Sequence, residues 1–210
     1  MCDSTVARFL VSHRNPLEPG GKRLAAMGRP ALLWLDQALG AMTLGHVGAL
    51  CAEGDALDQG TTGITFPPVR AEEVQIEGPA ERRILALLNR ARVDAGVRPL
   101  EADAELRAVG RAHARDMYLR GYFAHDTPEC AAGEAAAGCT DPFDRLRAAG
   151  IDYRTAGENL ALSPNATEAH TSLMESPGHR ANILHAEFTR VGIGVYSGPY
   201  GLMVTQEFAG

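Results

Sequence analysis

From residue 84 onward the hydrophobic positions fall at helical spacing. Ile84, Leu87, Leu88 and Ala91 stand at i, i+3, i+4 and i+7, the stripe of an amphipathic helix that opens near Glu81 and stops before Gly96 and Pro99. Asp103 is placed to cap a second helix with Leu106, Val109, His113 and Met117 on its inner face, and Gly121 ends it. A long loop carrying His125, Cys130 and Cys139 follows. Residues 142–149 read as a short helix closed by Gly150, 157–162 as an extended segment, and 167–175 as a helix stopped at Ser176-Pro177-Gly178. Two strands are predicted over 191–196 and 202–208, joined by a hairpin turn through Ser197-Gly-Pro-Tyr-Gly201. Helices flanking short, hairpin-connected strands give an α+β class with antiparallel pairing rather than a wound parallel sheet.

The pattern is different before residue 81. Pro16, Pro19, Gly20 and Gly21 precede one helical stripe at Leu32, Leu35, Leu39 and Met42, and a Gly- and Pro-rich stretch runs from Gly54 to Pro79. Residues 1–80 therefore read as a partly helical N-terminal arm or linker, and 81–210 as the domain. The apolar window 31–50 has the length of a membrane span, but Asp36, Gln37 and His46 interrupt it, so it reads as a soluble or buried helix. The opening residues lack the basic start and apolar run of a signal peptide, so the expectation is that any export signal lies outside this chain.

Composition narrows the function classes. The chain has 210 residues, is 45% hydrophobic and 22% charged, and carries a net charge of -6. Those proportions exclude whole-length disorder, and the acidic balance offers no electrostatic case for nucleic acid. Four cysteines allow three pairings. Cys130 and Cys139 sit within one loop, Cys2 and Cys51 are the remaining pair, and four separate thiols is the competing reading. No CxxC pair marks a thiolate zinc site. The even count and local spacing favour an oxidising compartment.

Three residues stand where chemistry is plausible. His125 follows a helix in Gly121-Tyr-Phe-Ala-His, Glu158 lies in Gly157-Glu-Asn-Leu-Ala, and His179 lies in Ser176-Pro-Gly-His. Two imidazoles and a carboxylate can bind a divalent metal, or act together as general acid and base without one. Their spacing matches no local zinc motif. Ser176 and His179 can also pair as nucleophile and base, but no orienting group or oxyanion hole is evident. His113 fits a core position, His170 and His185 fit the surface or an edge, and Arg180 and Asn182 fit ties between their segment and the sheet.

Residues 81–210 resemble a bacterial SCP-like extracellular domain of the CAP superfamily (cysteine-rich secretory, antigen 5 and pathogenesis-related 1 proteins). The likeness rests on short segments in register. They are Leu88-Asn89 with Arg92, Pro99-Leu100 with Leu106, Ala112-His-Ala-Arg-Asp-Met117 and Phe123-Ala-His125. Gly157-Glu-Asn-Leu-Ala161, Ser176-Pro-Gly-His-Arg-Ala-Asn-Ile-Leu184, Val191-Gly-Ile-Gly-Val195 and Thr205-Gln206 complete them. The resemblance implies an α-β-α sandwich around a small antiparallel sheet. It also implies a cavity of two histidines and two glutamates able to hold zinc, calcium or magnesium, with no organic cofactor. By that likeness His125, Glu158 and His179 are three of the four. The fourth position falls near Ser176, which makes Glu175 the candidate substitute.

The resemblance further implies a secreted, periplasmic or cell-surface protein that binds a metal or a small-molecule, lipid, peptide or cell-wall ligand. One alternative is a metal-dependent peptidase or esterase with Glu158 as general base. Another is the extracytoplasmic part of a larger membrane protein, with residues 14–20 and the apolar helix after them as the remnant of an upstream tether.

Overall fold

The computed structural model describes residues 7–8 and 64–210. The predicted stripe at Leu32, Leu35, Leu39 and Met42, the 31–50 window, and Cys2 and Cys51 lie outside the described residues. The described residues form the strands β1 (Ala7–Arg8), β2 (Ile64–Thr65), β3 (Gln75–Ile76), β4 (Glu101–Ala102), β5 (Tyr122–Phe123), β6 (Ala156–Ser163), β7 (Arg190–Gly198) and β8 (Gly201–Ala209). They also form the α-helices α1 (Gly78–Asp94), α2 (Ala104–Arg120), α3 (Pro142–Ala148), α4 (Ala166–Glu175) and α5 (Pro177–Ile183). The main sheet runs β1-β6-β8-β7-β3, all antiparallel, and β4 adds a short parallel pairing to β7. Helices on both faces make the expected α-β-α sandwich.

One face of the sheet packs on α1, α4 and α5 through Ile84, Leu88, Leu173, Ile183, Val191, Ile193, Val195, Val204 and Phe208. The opposite face meets α2 through Met117, Tyr118, Leu160, Leu162 and Met203. The small residues of the Val-Gly-Ile-Gly-Val strand explain how close α2 comes. A Cβ on Gly194 would stand 2.2 Å from the Arg111 nitrogen, and one on Gly192 would stand 2.1 Å from the Arg107 nitrogen. Only hydrogen fits between β7 and the helix there.

Local chemistry places the helices. Asp103 caps α2, its Oδ1 accepting from the backbone N–H of Glu105 and Leu106, and Gly121 takes the left-handed conformation that closes it. The buried Arg92 donates to the carbonyls of Arg98, Ile183, His185 and Phe188, tying α1 to the segment after α5. Asn89 pins Leu100 by two reciprocal bonds of 3.0 and 2.8 Å.

Two boundaries differ from the sequence reading. Residues 64–80, which the pattern assigns to the arm, pack on the domain. β2 pairs with β5, β3 pairs with β7, and Val69 and Val74 are buried. Their segments are too short to show a period, so tertiary contacts alone define them. Ser176-Pro177-Gly178 ends α4 as expected but also opens α5. Proline is well placed at a first helical turn, where its missing N–H has no intrahelical acceptor to lose.

Candidate functional site

β6 carries Glu158, and its whole length is buried. His125 lies just beyond β5, and its Nδ1 stands 2.6 Å from Glu158 Oε1. An ionised carboxylate only accepts, so His125 donates from Nδ1. The other oxygen, Oε2, accepts from Arg145 Nη2 at 2.8 Å. Arg145 also donates from Nη1 to the His125 carbonyl at 2.9 Å, so one guanidinium ties the backbone of the loop to the carboxylate of the strand. Its side chain is 13% exposed and that of Glu158 is 0% exposed.

α3 delivers Arg145. Asp141 and Asp144 form a reciprocal capping box at its start, Pro142 sits in its first turn, and Phe143 and Leu146 anchor it on α2. The preceding loop is closed by a Cys130–Cys139 disulfide, and Thr127 braces it by donating to the Gly138 carbonyl and accepting from the Thr140 N–H.

A second carboxyl stands beside the first. Glu207 on β8 is the register partner of Glu158. The outward carbonyls of Val191 and Val195 accept from Asp103 and Glu77, so the odd residues of β7 face away from β8. Carried through the register, this makes Glu158–Glu207 a non-hydrogen-bonded pair, the kind with Cα atoms only about 4.5 Å apart. Both Glu207 oxygens are buried and lack a partner in good hydrogen-bond geometry among the described residues.

The two carboxyls titrate in opposite directions. Burial pushes Glu158 up, but the charge of Arg145, helped by the His125 bond, wins and holds it well below the usual range. Burial and the negative charge of Glu158 push Glu207 well above it. His113 Nε2 lies 3.0 Å from the Ala124 carbonyl, as its helical spacing predicts for a core residue. Burial, with Arg145 adding to it, lowers its pKa to about 3, so the ring is neutral and donates that bond.

His179 is fully buried on α5, with Nδ1 2.9 Å from Ser176 Oγ. Asn159 Nδ2 donates to the His179 carbonyl and to Gln206 Oε1, and Asn182 Nδ2 donates to Asn159 Oδ1. Asn182 is thus the tie expected of it, while Arg180 is exposed. Glu175 ends α4 and is exposed, while the second carboxyl beside Glu158 belongs to Glu207. Glu207 carries a weak signal in the sequence, an acid closing the polar run Thr205-Gln206-Glu207 inside a strand. Arg145 carries none.

The arrangement can be tested against the divalent ion that the resemblance implies. Among the described residues no three His, Cys, Asp or Glu side chains converge as a metal-holding group. Arg145 already pairs with Glu158 Oε2, and its guanidinium repels a dication at that carboxylate by several kcal/mol at an effective dielectric of about 20. The residues as arranged do not fit the ion.

A separate notch of about 230 Å³ lies at the far edge of the sheet, between α1 and α2. Arg82, Arg107, Arg111 and Ile193 line it together with the carboxylates of Glu81 and Asp103. Arg111 is held by both oxygens of Glu81 at 2.6 Å, whereas Arg82 and Arg107 are exposed and have no ion-pair partner among the described residues. No described helix is long and apolar enough to cross a membrane.

Comparison with known proteins matches residues 85–208 to the family described as CAP, the cysteine-rich secretory protein family. The uncharacterized protein YkwD of Bacillus subtilis (strain 168) is 34% identical over 166 residues, 75% of this chain and 60% of that protein. The uncharacterized membrane protein YlbC of the same organism is 32% identical over 125 residues, 58% of this chain and 33% of that protein. A crystal structure of an extracellular protein containing an SCP domain from Bacillus anthracis strain Ames is 30% identical, with a TM-score of 0.55. The match covers 69% of this chain and 45% of that one. The chain therefore spans 60% or less of the length of each of these relatives.

Proposed function

This chain belongs to the CAP family of cysteine-rich secretory proteins, in its bacterial SCP form, and from that premise we propose that it is an extracytoplasmic ligand-binding module. The observation that carries the reading is the state of Glu158. A general base needs a lone pair within reach of a water or substrate, whereas the Glu158 carboxylate is fully buried and bound to His125 and Arg145. Its carboxylate braces the sheet, and the hydrolase reading loses its base. The Ser176–His179 contact sits at the buried start of α5 and leaves the serine no open approach.

A lipid, peptide or cell-wall ligand meets the outer surface instead. The notch with exposed Arg82 and Arg107 favours an anionic group, such as a phosphate-bearing wall polymer or lipid headgroup. The loop disulfide and the family relatives support a place outside the cytoplasm. Membership of a larger tethered protein remains compatible with the name of the YlbC relative and with the partial coverage of the relatives.

Two measurements test this. Co-sedimentation with isolated bacterial cell wall, and separately with anionic vesicles, gives salt-sensitive binding that falls at least fivefold in Arg82→Ser/Arg107→Ser. Equal binding by both proteins removes the notch from the reading. Incubation with a broad peptide and ester library gives no turnover, and turnover abolished by Glu158→Gln in a folded variant would restore the hydrolase.

A further inference from the structure

We propose that Arg145 holds the place a divalent metal was expected to take, so that an organic cation built into α3 cross-links the site and keeps metal out. A metal at this position would join the loop after β5 to β6 through His125 and Glu158 and would balance buried negative charge. Arg145 does both. Its Nη1 binds the His125 carbonyl and its Nη2 binds Glu158 Oε2, at 2.9 and 2.8 Å. The planar guanidinium serves two acceptors at fixed separation, which a point charge does not.

His125 donates from Nδ1 to the other oxygen of the same carboxylate. His179 is held on α5 by Ser176 and by the Asn159–Gln206 network. The inference concerns the buried cluster alone and stands whatever ligand the outer surface takes.

The test is zinc titration by calorimetry on the full chain, with folding of each variant checked by circular dichroism. Four proteins are compared: wild type, Arg145→Gln, Arg145→Lys and the double variant Arg145→Gln/Glu158→Gln. Wild type and the double variant show the same background binding. Arg145→Gln removes the charge and exposes Glu158, and it binds zinc at least tenfold more tightly than either. Arg145→Lys keeps the charge and stays at background.

Zinc binding by wild type that exceeds the double variant by tenfold overturns the proposal. So does an Arg145→Gln protein that folds yet binds no better than wild type. Should Arg145→Gln not fold, Arg145→Lys decides. A Lys variant at background together with wild type at background upholds the exclusion by charge, and a tenfold gain in the Lys variant overturns it.

Discussion

Glu158 and Glu207 face each other across adjacent antiparallel strands, and their carboxyls are driven to opposite protonation states. Two like charges at a close cross-strand pair in a buried face cannot both ionise cheaply. Arg145 resolves the conflict by favouring the ionised form of Glu158, and burial beside that charge favours the protonated form of Glu207.

Stability follows from the two signs. The folded-state pKa of Glu207 is raised, so its contribution is complete below the unfolded value of about 4.5 and is lost as pH rises through the raised value. That of Glu158 is lowered, so its contribution is present above about 4.5 and is lost as pH falls through the lowered value. Glu207→Gln mimics the protonated carboxyl. Its stability relative to wild type should grow as pH rises above 4.5, by up to about 1.4 kcal/mol per unit, until the raised pKa is passed. Urea denaturation from pH 4.5 to 8.5 measures this, and parallel profiles for the two proteins would show that Glu207 is ionised in the fold.

His113 makes the protein acid-sensitive. Its pKa falls from 6.5 to about 3 because burial in α2 opposes the charge. The stability from the neutral ring is present above about 6.5 and declines as pH falls, by about 1.4 kcal/mol per unit, until pH 3 is reached. His113→Gln keeps a donor for the Ala124 carbonyl and cannot titrate. Between pH 6.5 and 4 its stability curve should therefore be flatter than that of wild type by about that slope.

The closeness of α2 to β7 gives a steric prediction. A methyl at Gly194 meets the Arg111 nitrogen at 2.2 Å and the Gly110 carbonyl carbon at 2.3 Å, both backbone atoms unable to rotate aside. Gly194→Ala must push the helix off the sheet and should cost about 3 kcal/mol or more. By contrast Ala112→Gly, on the exposed side of the same helix, should cost only about 1 kcal/mol. Chemical denaturation of the two variants separates a close-approach effect from a helix-propensity effect.

The Cys130–Cys139 bridge closes a short loop with a sequence separation of 9. Chain-entropy arguments assign it about 2–3 kcal/mol. Cys130→Ser/Cys139→Ser should lose stability of that order. The backbone amides of Thr127 and Thr140, which hold the loop beside His125, should exchange faster. Hydrogen exchange resolved by residue checks this, and unchanged protection at both would show that Thr127 alone keeps the loop closed.

Much of the architecture was legible from one dimension because it is local. The Ile84–Ala91 stripe, the Asp103 cap, the Gly121 stop and the Ser197–Gly201 turn each state their structure within a few residues, and the helices and strands formed where these signals stand. The motifs around His125 and Glu158 were likewise readable, and the fold brings those two into contact. Residues 64–80 were read differently because two-residue strands have no period. The start of α5 was read as a stop because the same proline that cannot continue one helix can begin the next.

Local signals in the chain set the main helices and strands, short pieces such as β2, β3 and α5 apart, and marked which polar residues are candidates for the interior. What those residues face came from packing. Strand register set Glu207 against Glu158, although 49 positions of chain separate them. The docking of α3 brought Arg145, whose spacing announced nothing, onto a carboxylate expected to hold a metal. The physical reason is that a buried charge is compensated in three dimensions, and its partner can come from any element the packing delivers.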